Sequence, residues 1–307
     1  MTETAIVATE TQKHRGTIFV EDGEVIKVST FPGAQYIFRL AAPLCASHAE
    51  PGSFVHAQCD IELPMRRPLS IMRANSDEGW IELLFKVVGE GLRLFAEKKP
   101  GDKLSLIGPI GHPFQTDPQR LNSLLIGGGV GIPPMIFLAE HLTKDNKDWH
   151  PLVLMGSEIP FPFELQESTI ACDWLPADTR SAMPLLEQWK VPSRLASLSG
   201  FDACHRGFVT ELAEKWLESL SSDEIAKTGI FACGPTAMLK AVAGLARKYN
   251  IPCQVSLEEF MACAVGGCAG CTVLVQTPEG PAMQRVCVDG PVFDAATVFP
   301  CKVPGTD

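Results

Sequence analysis

Long apolar runs are missing from this 307-residue chain: nowhere does it approach the ~20 consecutive apolar residues of a membrane-spanning helix. The first stretch, MTETAIVATETQKHRG, lacks the apolar core of a secretory signal. These absences set the expectation of a cytoplasmic protein with no membrane partner. Positive charge is also in deficit, with 26 Lys and Arg against 36 Asp and Glu, a net charge of −10 and a pI near 5.2. A general nucleic-acid partner is excluded on that ground, because phosphates demand a basic surface. No pair of side chains suggests acid–base catalysis on this chain. What remains is ordinary globular composition, 46% hydrophobic and 20% charged, at a length that suits two or three domains.

Cysteine is the residue type present in excess. In a reducing compartment, the eleven cysteines read as thiols or metal ligands rather than disulfides. Four of them, Cys263, Cys268, Cys271 and Cys287, stand between Glu258 and Phe293 with spacing C-x4-C-x2-C-x15-C. The first three match the plant-type [2Fe–2S] run, whose fourth ligand arrives from a separate segment. Ala264, Gly266, Gly267, Ala269 and Gly270 are small, so the backbone can wrap closely and aim N–H groups at sulfur. The competing readings are plain buried cysteines or a bound zinc ion. Zinc usually takes two short C-x2-C-like pairs or a Cys/His mixture, whereas this segment contains no histidine. Most of the other cysteines (45, 59, 172, 204, 233, 253 and 301) are expected to be small buried hydrophobes.

From Gly16 the pattern is β. TIFVEDGEVIKVST, AQYIFRLAAP, GSFVHAQC, GWIELLFKVV and GDKLSLIGPIG are short runs bounded by Gly or Pro, which suggests an antiparallel barrel. Within it, Arg66-Arg67-Pro68-Leu69-Ser70 offers charge and a hydroxyl on a Pro-stiffened strand, a combination suited to pyrophosphate. An edge strand with solvated arginines is the alternative. Leu84-Phe85-Lys86 runs into a Gly89-x-Gly91 turn that can start a short helix through Leu92, Phe95 and Ala96.

Beyond residue 117 strands alternate with helices, which argues for an open parallel sheet. The apolar run Leu124–Ile126 leads into Gly127, Gly128, Gly129 and Gly131, then a helix starting at Pro133 or Pro134. HPLVLMGSE ends in Gly156-Ser157-Glu158, and TGIFACGP in Cys233-Gly234-Pro235. Ligands on such sheets sit at the carboxyl ends of strands, where all three turns fall. Thr210 is expected to cap one helix, and another is expected near Ser181–Trp189. Helix 236–249 has a clear amphipathic pattern. The aromatics of 159–194 are expected to be local core.

In order, R-P-L-S, K-V-V-G-E-G, G-G-G-V-G-I-P-P-M, G-F-V-T, A-C-G-P-x-x-M-L, the cysteine cluster and V-C-V-D-G-P-V-F resemble the electron-transfer subunit of class B dihydroorotate dehydrogenase. That family lies within the ferredoxin–NADP reductase superfamily. The resemblance implies a multi-domain β plus α/β protein. After a polar leader expected at 1–15, it divides the chain into an antiparallel FAD-binding barrel at 16–116, an NAD-binding parallel-sheet domain at 117–252 and a small [2Fe–2S] domain at 253–307.

The resemblance also implies site residues. FAD would be held by Arg67, Pro68, Leu69 and Ser70, by Leu84, Phe85 and Lys86, and by Gly91 and Leu92. Leu92 stands where the family usually has Thr, so a hydroxyl contact is lost while the backbone N–H remains. Cys233 would position the nicotinamide sterically, with a simple buried thiol as the alternative.

The implied route runs from dihydroorotate, oxidised on an FMN-containing catalytic subunit, through the cluster and FAD to NAD⁺. The implied assembly is a heterotetramer, two of each subunit, with a docking face around Cys263–Cys271. Ser157 and Glu158, rather than basic residues, lean the nucleotide to NAD over NADP. The same redox features would suit a subunit of an NADH-dependent ferredoxin:NADP⁺ oxidoreductase or a soluble hydrogenase. A zinc-stabilised interaction module that has lost its flavin is a third reading.

Overall fold

A computed structural model describes residues 17–145 and 147–301. The expected leader lies outside the described residues. Six strands close into an antiparallel barrel. They are β1 (Phe19–Phe31), β2 (Gln35–Ala41), β3 (Phe54–Ala57), β4 (Arg67–Asn75), β5 (Trp80–Lys86) and β6 (Lys103–Ile110), in the order β1-β2-β5-β4-β3-β6. Short helix α1 (Pro43–Ala46) follows β2, and α2 (Gly89–Ala96) follows β5. Phe95 of α2 is fully buried, 5.1 Å from the Phe38 ring and 4.9 Å from Phe85. Aromatic packing of this kind fixes α2, and hence its N-terminus, against the barrel.

The second unit is a six-stranded sheet. Its elements are β7 (Asn122–Gly128), α3 (Ile132–Lys144), β8 (His150–Gly156), β9 (Gln166–Glu167), β10 (Ser181–Ala182), α4 (Pro184–Gln188), β11 (Ser193–Ala196), α5 (Val209–Ser219), α6 (Ser222–Ala226), β12 (Thr228–Cys233), α7 (Thr236–Tyr249) and β13 (Cys253–Ser256). Strand order is β11-β8-β7-β12-β13, all parallel. Successive residues of β7 enter opposite cores. Leu125 joins α3, while Leu124 and Ile126 join α5 and α7. Burial on both faces explains why this strand reads as a continuous apolar run.

The chain then forms the hairpin β14 (Thr272–Thr277) and β15 (Gly280–Arg285), and returns as β16 (Val292–Asp294) before α8 (Ala295–Val298). β16 pairs antiparallel with β13. The sheet thus takes in two strands from within the 253–307 span expected for the cluster domain.

Three local expectations change. α5 begins at Val209 with Phe208 at its N-cap, so Thr210 lies inside the helix and caps nothing. The helix near 181–189 is only Pro184–Gln188, because Ser181–Ala182 pair with Glu167 and Gln166 as a small hairpin. α3 starts at Ile132, with its prolines in the first turn. The aromatics of 159–194 do pack locally: Phe161 is buried against Phe163 and Phe201, and Trp189 packs on the α3 core. Of the seven cysteines outside the cluster, Cys45, Cys59, Cys233 and Cys253 are buried, and none is in a disulfide.

Barrel and sheet are joined through Arg73 of β4 and Glu140 of α3. The guanidinium donates twice to the carboxylate, at 2.9 and 2.7 Å, and stacks near Trp189. Glu140 is 4% exposed. The fork geometry of Arg fixes orientation as well as distance, so this pair sets how the two units face each other.

Candidate functional site

Two clefts open where barrel and sheet meet. The first, about 210 Å³, is walled on the barrel side by Pro68, Leu69 and Ser70 of β4, by Leu84, Phe85 and Lys86 of β5, and by Leu92 of α2. These are the expected flavin residues, and three separate elements bring them to one surface. Arg67 and Gly91 stand together at its edge. A methyl group on Gly91 would meet Nη2, Cζ and Nε of Arg67 at 3.1–3.2 Å. Glycine in the first turn of α2 therefore lets the guanidinium lie against the helix N-terminus, an arrangement of charge and main-chain N–H groups suited to an anion. Arg66 faces the other way. Its guanidinium donates to Ser105 O at 2.7 Å, to Ser105 Oγ at 2.8 Å and to His56 O at 3.2 Å, which ties it to the barrel wall. The two arginines thus have separate tasks that the dipeptide alone does not reveal.

The opposite wall of this cleft was absent from the sequence reading. Ser256, Leu257, Glu258, Glu259 and Met261 follow β13, and Pro291 precedes β16. Their signal was present, because β13 is a parallel strand and its carboxyl end is a ligand position. Glu258 reaches solvent in the cleft but is flanked by protein, and burial pushes its carboxyl above the usual range. Behind it, Cys233 is fully buried at the end of β12. Burial, then the nearby Glu258 charge, push that thiol far up, outweighing a hydrogen bond with Ser256. A neutral thiol is a poor nucleophile, and full burial leaves Cys233 as a packing group behind the cleft.

The second cleft, about 630 Å³, lies over the carboxyl ends of the parallel strands. Gly128 and Gly129, Gly156–Glu158, Phe208–Thr210 and Pro235 line it. Lys86, Val88 and Val130 belong to both clefts, so the two meet there. Gly127 and Gly131 line neither. At Gly131 a methyl group would meet the Cys233 carbonyl at 2.4 Å and Gly234 N at 2.5 Å. Its missing side chain lets the β7 and β12 turns touch, which shapes the cleft from behind. Gly127 packs against Ile132 and Met135 of α3, and Gly234 against Met238 and the Gly128 main chain.

The four cysteines gather at the far end of the segment that walls the first cleft. They form two pairs. Cys263 interacts with Cys268, Cys287 with Cys271, and the charge of Cys263 reaches Cys287. Among the described residues, no three Cys, His, Asp or Glu converge on a single-ion position. Two pairs of thiols are a donor set that would suit a two-iron cluster. The chain between them takes left-handed backbone at Ala264 (φ 57°), Gly266 (φ 81°) and Ala269 (φ 54°). Two alanines held there are unusual, and such conformations cluster at ligand-binding turns. The wrap aims N–H groups at sulfur: Cys268 N lies 3.4 Å from Cys263 Sγ, and Gly270 N lies 3.4 Å from Cys268 Sγ. Burial pushes the Cys263 thiol up, but main-chain groups at Val265, Cys268 and Gly267 outweigh it and bring the thiol down to about 7. Cys287, buried and hydrogen-bonded to Cys271, is pushed up to about 12. Soft thiol donors in pairs, with amide donors to sulfur, fit [2Fe–2S].

The chain's likeness to known proteins agrees with this site. The iron-sulfur cluster binding domain of dihydroorotate dehydrogenase B matches residues 258–299. The dihydroorotate dehydrogenase B (NAD(+)) electron transfer subunit of Bacillus caldolyticus is 33% identical over 269 residues, covering 86% of this chain and 92% of that one. Its counterpart from Desulforamulus reducens is 30% identical over 277 residues, covering 89% and 96%. Among solved structures, a chain of the NADH-dependent reduced ferredoxin-NADP oxidoreductase aligns with TM-score 0.72 at 24% identity, covering 90% and 89%. A ferredoxin NADP+ reductase from Neisseria gonorrhoeae with bound FAD and NADP aligns with TM-score 0.55 at 14% identity, covering 75% and 91%. The two structures speak to the fold alone, an antiparallel barrel followed by an open parallel sheet. The two sequence relatives span nearly the whole of both chains, and on that span this chain belongs to the family of dihydroorotate dehydrogenase B electron transfer subunits.

Proposed function

We propose that this chain carries electrons between a [2Fe–2S] cluster, FAD and NAD, as the electron-transfer subunit of an NAD⁺-dependent dihydroorotate dehydrogenase. One observation carries the reading. The segment from Ser256 to Cys263 leaves the nucleotide-binding sheet, walls the first cleft and enters the cysteine loop. The cysteine loop, the first cleft and the parallel sheet lie along one continuous path, which supports a cluster, a flavin and a nucleotide held in that order. When bound, FAD exchanges single electrons with an iron–sulfur centre and electron pairs, as hydride, with nicotinamide.

The protein's part is to bind, orient and exclude. Cys263, Cys268, Cys271 and Cys287 hold the cluster. Arg67, with Gly91 and the main chain at Leu92, takes the pyrophosphate. Pro68, Leu69, Ser70, Leu84, Phe85 and Lys86 form the flavin seat. Gly128, Gly129 and Pro235 seat the dinucleotide, and Gly127, Gly131 and Gly234 allow the close packing behind it. Cys233 backs the nicotinamide position as a neutral thiol. Glu158 in the second cleft repels a 2′-phosphate, which favours NAD.

The substrate chemistry belongs to an FMN-containing catalytic partner that oxidises dihydroorotate. The partner docks on the face around Cys263–Cys271, two copies of each subunit assembling in the cytoplasm. An absorption spectrum with iron and flavin analysis tests the cofactor content. The expected result is flavin and [2Fe–2S] bands in the native protein, with flavin lost and iron kept in Arg67→Ala. A colourless, zinc-containing protein would sink the proposal.

A further inference from the structure

The turn that carries Cys287 is closed by an ion pair. Arg285 donates from its main-chain N to Asp289 Oδ2 at 2.7 Å, and from Nε to the same oxygen at 3.1 Å. Nη2 reaches Oδ1 at 3.3 Å. The remaining nitrogen, Nη1, crosses to the other half of the site and donates to Gly266 O at 3.1 Å. Gly266 lies in the loop between Cys263 and Cys268, so one guanidinium bridges the two pairs of cysteines. The charges of Cys287 and Cys271 act on that guanidinium, which places it within their field. This is more than a surface ion pair. Its two charges stand on either side of one ligand, two residues before it and two residues after it.

We propose that Arg285 and Asp289 set the reduction potential of the cluster in opposite directions, Arg285 raising it and Asp289 lowering it. The inference rests on the cluster reading of the four cysteines. A [2Fe–2S] cluster on four thiolates gains one negative charge on reduction. A guanidinium nearby stabilises the reduced form more than the oxidised one, and a carboxylate does the reverse. Arg285 is also a positioning residue, because its Nη1 bond to Gly266 holds the first ligand loop against the Cys287 turn. Solvent screens both charges in part, since the side chains are 41% and 21% exposed. The pair is therefore a modulator of the potential that the thiolates themselves establish.

The test is a potentiometric titration of the cluster, followed by electron paramagnetic resonance, on the FAD-loaded protein and three variants. Arg285→Gln is expected to lower the midpoint, Asp289→Asn to raise it, and Arg285→Lys to stay near wild type. Shifts of the same sign in Arg285→Gln and Asp289→Asn, or no shift in either, would overturn the assignment. Loss of iron from both, with Arg285→Lys intact, would also overturn it, leaving the pair a purely mechanical strap. If Arg285→Gln alone loses iron, Asp289→Asn decides: an upward shift supports the assignment, and a downward or absent shift refutes it. A wild-type protein with no iron–sulfur signal would instead contradict the cluster reading itself.

Discussion

A methyl group at position 131 has no room, because the atoms it would meet belong to the main chain of Cys233 and Gly234 at 2.4–2.5 Å. Backbone cannot swing aside as a flexible side chain can. Gly131→Ala should therefore force the β7 and β12 turns apart, costing about 1–3 kcal/mol as overpacking does. Urea denaturation and NADH affinity together check this, and both are expected to weaken. Glu258 permits a prediction of a different kind. Its folded pKa is raised by burial, so the stability it contributes is complete below the ordinary carboxylate pKa and is lost as pH rises through the raised value. Glu258→Gln lacks that penalty. Its stability relative to wild type should be level on the acid side and grow with pH across the window. A difference that stays constant with pH would contradict the account.

At the scale of elements, the join between β4 and α3 is the part most exposed to test. Glu140 is pushed up by burial, but hydrogen bonds from Arg73 and Lys144 outweigh that and hold its carboxyl below the usual range. Its contribution is thus present above the unfolded carboxylate pKa and lost as pH falls through the folded one. Glu140→Ala leaves Arg73 with Glu82 at 3.7 Å as its remaining carboxylate. The expected loss is about 3 kcal/mol, at the low end for a broken buried pair because of that remaining partner. Thermal unfolding at neutral pH measures it, and hydride transfer from NADH to FAD should slow as the clefts lose register.

Elements also show what could be read without coordinates. The barrel strands, α7 and the cysteine loop were legible because each is a local pattern: alternation, helical period, spacing. R-P-L-S and the β5–α2 turn pointed to residues that the fold does bring to one cleft. Three things were not legible. Arg66 and Arg67 are neighbours whose tasks depend on which side of β4 Ser105 lies. Ser256–Met261 form a wall only because β13 ends beside the barrel. Arg285 finds Gly266 only through tertiary folding, with nothing in the spacing to announce it. Thr210 failed as a cap because helix α5 already begins at Val209, a boundary that side-chain preference alone does not locate.

At the scale of the molecule, the chain presents two clefts that share a wall and a cysteine loop that begins where one of them ends. In the proposed function, oxidation of dihydroorotate falls to the partner subunit. The chain acts as a wire with defined terminals, and the wire can be cut at one point. The direct measurement is dihydroorotate-dependent NAD⁺ reduction by this subunit assembled with its FMN-containing partner, comparing wild type with Cys263→Ser. The account predicts steady NAD⁺ reduction by the wild type and none by the variant, while the partner still passes electrons to an artificial acceptor. Undiminished NAD⁺ reduction by Cys263→Ser would contradict it.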